Sequence, residues 1–265
     1  MVPPWVPDPE SPTLPREERP HDDIPPNEPL EPNDRPERPI APHRRFAAAR
    51  ASLGRFAQSG DDTELRRGLG HYVREGYGGA RTASERLGGT PGTAAVLYNA
   101  LADLAGGRQT RTALRLDAAI LRGRSTREVI DALVDAVRPV DGTQDAEAAR
   151  PAIGSALADL LTLFPDADLL NLTPEQRAYV IENFVAHDVF QRFALDVGKH
   201  IQDHAPTAAA GVSRLAEARD YIKEAVSASF RDLEAKGQRI DANTVADVAR
   251  AALQETLTVF QDYLQ

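Results

Sequence analysis

Proline is distributed so unevenly that it divides this chain into two parts. Residues 1–42 hold 14 of the 20 prolines and the only tryptophan among the 265 residues. Each proline ring fixes the backbone angle φ and removes an N–H donor, so a segment this rich in proline cannot build helices or sheet ladders. We therefore predict a disordered, Pro-rich N-terminal arm over residues 1–42, followed by a folded domain over residues 43–265.

The residues after the arm show the apolar spacing of helices throughout. Apolar side chains recur at three- and four-residue intervals, as in Phe46, Ala49 and Leu53, which is the pattern of a buried helical face. No window shows the alternation of β-branched residues that strands favour. We predict an all-α, multi-helix bundle-like domain, built either on one core or as two lobes over residues 43–122 and 123–265.

Helix-start signals agree with this interpretation. Ser125 followed by Glu128, and Thr173 followed by Gln176, have the pattern of a capping box. Asn243 is the residue expected to cap the last helix. These positions predict where three of the helices begin.

Composition excludes several classes of protein. The sequence has no cysteine, which rules out disulfides, Cys-ligated zinc and thiol nucleophiles. No apolar run approaches the roughly 18 residues of a membrane span. The first residues lack the basic start and the apolar stretch of a secretory signal. We therefore expect a cytoplasmic protein that does not enter a membrane.

Charge is distributed unevenly along the chain. The arm has 4 Arg against 10 acidic residues, residues 43–127 have 15 Arg against 7, and residues 128–265 have 12 Lys and Arg against 23. The acidic parts can neutralise the basic block within the molecule, or the block can bind an anionic partner such as nucleic acid. The aromatic residues of the block lie mostly at core-like helix positions, so no base-stacking platform is evident. Neutralisation is favoured, and nucleic-acid binding is kept as the alternative.

The helix after Thr173 carries polar side chains at four-residue intervals. They are Asp188, Arg192, Asp196, His200 and His204. Residues four apart are neighbours on a helix, so the five predict a polar ridge. A metal or proton-transfer site is one hypothesis, but eight residues rise about 12 Å along a helix, and nothing marks a third ligand beside the two histidines. We favour ion pairs and hydrogen bonds at a helix contact, with no metal.

Other candidate chemistry is better explained by helix ends. The glycine clusters between residues 68 and 93 lack the Lys-Ser/Thr of a P-loop, and glycine after a helical run usually ends the helix or permits a close crossing. The turn over residues 141–145 is an ordinary helix start rather than a calcium loop. No G-x-S-x-G elbow is present. We predict no catalytic residues, no cofactor and no enzymatic activity.

The start of the arm has the composition of a docking peptide. Its residues are Val2, Pro3, Pro4, Trp5, Val6 and Pro7. Grooves that bind extended Pro-rich peptides select this composition because little entropy is lost on docking. Tryptophan is also a residue type enriched among binding hot spots. We predict that this peptide binds a partner protein, rather than forming part of an inert tail.

Five stretches, in order along nearly the whole chain, resemble one protein family. They are residues 2–7 (VPPWVP), 67–74 (RGLGHYVR), 88–90 (GGT), 138–147 (RPVDGTQDAE) and 195–199 (LDVGK). Together they resemble the QatB family, the component of the bacterial Qat anti-phage system that has no assigned enzymatic fold. None of the five stretches is a catalytic motif.

The resemblance implies partners and a chemical role. It implies an enzyme similar to the 7-cyano-7-deazaguanine synthase QueC, called QatC, together with an ATPase (QatA) and a TatD-like nuclease (QatD). It also implies that the QueC-like enzyme attaches a deazaguanine to an N-terminal glycine, so that QatB is its protein substrate. The Gly/Ser-rich lead that the family carries ahead of its V-P-P-W segment is not in this sequence, so no residue is assigned as the modified one. The docking peptide around Trp5 is the part of this role that the sequence carries.

Overall fold

The computed structural model describes residues 44–265, and every regular element in this range is a helix. The α-helices are α1 (Ala47–Ser59), α2 (Asp62–His71), α3 (Ala80–Arg86), α4 (Gly89–Ala105), α5 (Ala118–Leu121), α6 (Thr126–Val137), α7 (Gln144–Leu163), α8 (Pro174–Phe193), α9 (Lys199–His204), α10 (Ala208–Ala235) and α11 (Val245–Asp262). Two π-helical segments, Tyr72–Gly76 and Ala194–Gly198, extend α2 and connect α8 to α9. The all-α prediction is confirmed. The predicted arm, with its docking peptide, lies outside the described residues.

Helix α8 lies at the centre of the domain. It packs against α4, α7 and α10, and its Phe184 and Phe193 side chains are fully buried. A helix that is apolar on most of its faces is stable only where neighbours cover it. Helix α11 packs against α3, α4 and α10, and α1 packs against α2 and α9, so one hydrophobic core connects these helices. None of the described helices has both the length and the hydropathy to cross a membrane.

Two of the three predicted helix starts are confirmed as capping boxes. The Glu128 amide donates to Ser125 Oγ, and the Ser125 amide donates to the Glu128 carboxylate. Thr173 and Gln176 make the same pair of bonds at the start of α8. These motifs need only four consecutive residues, which is why the sequence alone identifies them.

The prediction that Asn243 caps the last helix is wrong. The Asp241 carboxylate accepts hydrogen bonds from the amides of Asn243 at 2.7 Å and Thr244 at 3.0 Å. Thr244 occupies the N-cap position of α11 without a side-chain cap. An aspartate that bonds to the backbone two residues ahead is a common turn, and here the turn places Thr244 rather than Asn243 directly before α11.

Glycines allow close helix crossings, as their clusters predicted. A Cβ on Gly68 of α2 would lie 2.5 Å from Leu53 Cδ2 of α1, and a Cβ on Gly70 would lie 2.7 Å from Leu264 Cγ. Gly79, with φ of 102°, occupies a backbone conformation that L-residues rarely adopt. The helix-end and crossing interpretation is confirmed at these positions.

Candidate functional site

The five polar residues predicted as one ridge form three separate groups of contacts. A π-helical segment interrupts the helix between Arg192 and His200, and a π-type turn adds a residue that shifts the following side chains around the axis. Asp188 and Arg192 are buried, Asp196 and His200 are half-buried, and His204 is exposed. Each group therefore packs against a different neighbour.

Asp188 and Arg192 form the centre of a buried ionic cluster. Arg192 Nε donates to Asp188 Oδ2 at 3.3 Å, and Arg192 Nη1 donates to Asp145 Oδ1 at 2.6 Å. Thr90 Oγ1 donates to the same Asp188 oxygen at 2.5 Å. Thr90 lies in the first turn of α4 and Asp145 in the first turn of α7. The ionic cluster thus joins α8 to two neighbouring helices.

The buried charge of the Asp188 carboxylate is stabilised mainly by Arg192. Its side chain is fully buried, and burial raises its pKa although Arg192 and Thr90 oppose the shift. Its second oxygen, Oδ1, has no hydrogen-bond partner within residues 44–265. A buried acceptor without a partner costs about 1–3 kcal/mol. The guanidinium of Arg192 is therefore the main group that makes this buried charge tolerable.

Asp196 binds two tyrosines close to where the described chain begins. Tyr72 Oη donates to Asp196 Oδ2 at 3.0 Å, and Tyr77 Oη donates to the same oxygen at 2.8 Å. Phe46 stacks on Tyr72 with ring centroids 5.3 Å apart, and Arg45 Cζ lies 4.6 Å from the Phe46 ring centroid. Burial and the charge of Asp196 raise the pKa of Tyr77 to about 12. Both phenols therefore stay protonated and serve as donors.

These contacts connect stretches on which the family resemblance rests. Tyr72 and Asp196 belong to two of the stretches and contact each other directly. Thr90 and Asp145 belong to two others and meet through the ionic cluster. Sequence reasoning missed these pairs because 124 residues separate the first pair of partners and 98 separate Thr90 from its acceptor. Four of the five stretches therefore contribute side chains to contacts between elements of the domain.

His200 and His204 lie where α9 packs against α1. His200 Nε2 donates to the carbonyl oxygen of Arg50 at 2.8 Å, and His204 Nδ1 donates to the carbonyl oxygen of His200 at 2.9 Å. Their ring centroids lie 3.9 Å apart, with the two planes inclined by 32°. In the part of the chain that the structure describes, no group of three or more His, Asp or Glu side chains is placed to hold a metal ion.

The His200 contact predicts a pH dependence of stability. Burial and the neighbouring His204 lower the pKa of His200. Its folded state then binds fewer protons than its unfolded state, so the contribution of His200 to stability is lost as pH falls below about 6.5. His200→Gln keeps an N–H donor for the Arg50 carbonyl but does not titrate. We expect the unmodified chain to lose more unfolding free energy than this variant between about pH 7.5 and 5.5.

Denaturant unfolding at a series of pH values measures this difference. His187 is also buried, and its pKa is lowered mainly by that burial, so the variant retains part of the dependence. Identical pH slopes for the two proteins would contradict the assignment to His200.

Comparison with known families identifies the chain. The family model described as "Qat anti-phage system associated protein QatB" matches residues 78–260, which is more than half of the chain and extends from just before α3 into α11. Three of the five resemblance stretches, residues 88–90, 138–147 and 195–199, lie inside the match. Comparisons with curated proteins and with solved structures gave no match. The chain belongs to the QatB family and is a component of an anti-phage defence system.

Proposed function

We propose that this QatB-family chain binds the QueC-like enzyme of its system, QatC, and serves as its protein substrate for N-terminal deazaguanine attachment. It acts without catalysis of its own, in the cytoplasm, and docks through the peptide Val2–Pro7. The observation that carries the proposal is the family match over residues 78–260. The system's ATPase QatA and TatD-like nuclease QatD are further proposed partners.

The contacts of the polar residues support a non-catalytic role. Arg192 pairs with Asp188 and Asp145 in the ionic cluster, and Asp196 accepts two phenolic hydrogen bonds. His200 uses Nε2 to hold a backbone carbonyl. A general acid or base must reach a substrate proton, whereas these groups are engaged in helix-to-helix contacts.

The composition of residues 2–7 supports docking by the arm. Trp5 is the only tryptophan of the chain, and prolines flank it on both sides. A preformed extended peptide with one large aromatic anchor loses little entropy on binding. Phe46 directly precedes α1 and is buried against Tyr72. The start of α1 is therefore already anchored to the core without Trp5.

Retention on immobilised QueC-like enzyme tests the docking step. We expect the full chain to be retained, and both Trp5→Ala and deletion of residues 1–42 to abolish most of the retention. Ile24→Ala is the matched control, because it removes an apolar side chain from the same arm outside the peptide; it should bind like the unmodified chain. Equal retention of all four proteins would remove the arm from the mechanism.

Nucleic-acid binding through the basic block at residues 43–127 is the second proposal. The observation that favours it is the exposure of arginines between α4 and α6, including Arg115 and Arg122. Against a base-stacking mode, Tyr72, Tyr77 and Tyr98 are buried. Binding through phosphates alone should weaken steeply with salt. A mobility-shift assay at low salt measures it, and an absence of any shift would end this proposal.

A further inference from the structure

The basic block and the acidic half of the domain are barely neutralised by ion pairs with each other. Within residues 44–265, the ion pairs that join them are Arg124–Glu128 at 3.8 Å and Arg127–Asp131 at 3.9 Å, each one helical turn apart at the start of α6. Exposed ion pairs of this kind contribute little to the stability of the fold. Two surfaces of opposite charge therefore remain available to a partner.

The first surface is the Arg segment, residues 108–127. Its only acidic residue is Asp117, and its arginines are Arg108, Arg111, Arg115, Arg122, Arg124 and Arg127. Arg108 and Arg111 pair with Asp103 of α4, whereas Arg115 and Arg122 make no ion pair among residues 44–265. Two large apolar side chains in the same segment face solvent, Leu114 with 54% and Ile120 with 65% of its surface exposed. Exposed apolar anchors flanked by arginine are typical of protein interfaces.

The second surface is the acidic groove, about 650 Å³ in volume, between the first half of α8, the end of α10 and the start of α11. Its carboxylates are Glu175, Glu182, Glu234 and Asp241. Phe230, Ile240 and Val248 form an apolar floor. These four carboxylates outnumber the two arginines of the groove, which are Arg239 and Arg231, the latter paired with Glu224 at 2.7 Å.

Glu182 is the carboxylate in the groove that most needs a partner. It is half-buried and accepts a hydrogen bond from Ser227 Oγ. It makes no ion pair within the residues that the structure describes. Burial raises its pKa, and Glu224 and Glu234 add to that shift. A guanidinium placed here would form a charge-assisted hydrogen bond, which is about twice as strong as a neutral one.

The two surfaces both adjoin the connection between α7 and α8. Leu121 and Arg122 of the Arg segment line a depression together with Leu169 and Leu170. The acidic groove begins a few residues further along the same connection into α8, at Pro174. With both surfaces beside one connection, a two-fold axis lets two copies exchange both contacts at once.

We propose that the acidic groove is occupied by the Arg segment of a second copy of this chain, in a two-fold dimer. Ile120 and Leu114 pack on the apolar floor, and Arg115 and Arg122 lie among Glu175, Glu182 and Glu234 and pair with these carboxylates. The contact is reciprocal, because each copy offers one Arg segment and one groove. This assembly does not depend on the QueC-like enzyme or on the arm.

Sedimentation of charge-reversed full chains tests the dimer. The unmodified chain should sediment at twice 28.8 kDa at low salt and at 28.8 kDa as salt rises. Arg115→Glu with Arg122→Glu, and separately Glu175→Arg with Glu234→Arg, should each give monomers, because like charges then face each other. Mixing the two double variants should restore a dimer, since both contacts are complementary again in the mixed pair.

The mixture separates a lost interface from a misfolded variant, because a misfolded protein would not be rescued. Arg81→Glu with Arg250→Glu is the matched control; it makes the same change of charge on another face and should stay dimeric. A monomer at every concentration and salt would overturn the proposal. So would two double variants that fail to associate when mixed, or a dimer that dissociates on nuclease treatment, which would assign the Arg segment to nucleic acid.

Discussion

Replacing Arg192 with methionine is expected to lower the free energy of unfolding by about 3–5 kcal/mol. Arg192 is 5% exposed and pairs with Asp188, which is fully buried. Removing the cation leaves a buried carboxylate whose Oδ1 already has no hydrogen-bond partner among residues 44–265. The loss also frees Asp145 and removes one of the polar contacts between α7 and α8. Urea unfolding measures the change.

The ionic cluster also predicts how the stability of the Arg192→Met variant depends on pH and on a second substitution. Without Arg192, the pKa of Asp188 rises further above its unfolded value, so the variant should lose stability as pH increases from about 5 to 7.5. Asp188→Asn in the Arg192→Met background removes the stranded charge and should recover part of the loss. Arg231→Met, which breaks an exposed ion pair, should change stability little. An Arg192→Met variant as stable as this control would refute the account of the cluster.

Alanine at Gly68 and alanine at Gly154 are expected to have stabilities that differ by about 1–3 kcal/mol, with the Gly68 variant lower. Both glycines lie inside helices, so both gain the same helix propensity from alanine. A Cβ on Gly68 would lie 2.5 Å from Leu53 Cδ2, and Leu53 is fully buried and has little room to move. A Cβ on Gly154 would meet nothing within 4 Å.

Thermal and urea unfolding of the two alanine variants measure this difference. Gly154→Ala should be more stable than the unmodified chain, and Gly68→Ala less stable. Equal stabilities would mean that α1 and α2 can separate without cost, which would contradict their close crossing at Gly68.

Helices were predictable here because their signals are local. Ser125 with Glu128, and Thr173 with Gln176, are complete within four residues, and the structure confirms both. The apolar spacing that starts at Phe46 likewise needs no knowledge of distant residues. At Asn243 the prediction was wrong because the Asp241 carboxylate forms a turn with the amides of Asn243 and Thr244, and α11 begins one residue later than expected.

The contacts of the ridge residues were not predictable, for two physical reasons. A four-residue spacing marks one face only while the helix stays α-helical, and the π-helical turn after Phe193 breaks that spacing. Thr90 is 98 residues from Asp188 and Tyr72 is 124 residues from Asp196 along the chain, and no periodicity identifies such pairs. Tyr72 and Tyr77 fit core positions in the sequence, and only the fold shows that their hydroxyl groups face Asp196.

The described domain and the arm have different tasks in this account. In the domain, polar contacts between helices are made by the ionic cluster, by Asp196 with its two tyrosines, and by His200. The proposed binding site for the QueC-like enzyme is the peptide Val2–Pro7, which lies outside the described residues. The central claim therefore concerns one side chain, Trp5.

Fluorine NMR of the full chain labelled with 5-fluorotryptophan tests that claim most directly. Trp5 is the only tryptophan, so the label gives one resonance that reports on the peptide alone. On titration with unlabelled QueC-like enzyme, we expect this resonance to shift and broaden in proportion to the complex formed. A complex that forms by sedimentation while the fluorine resonance stays unchanged would contradict docking through the arm.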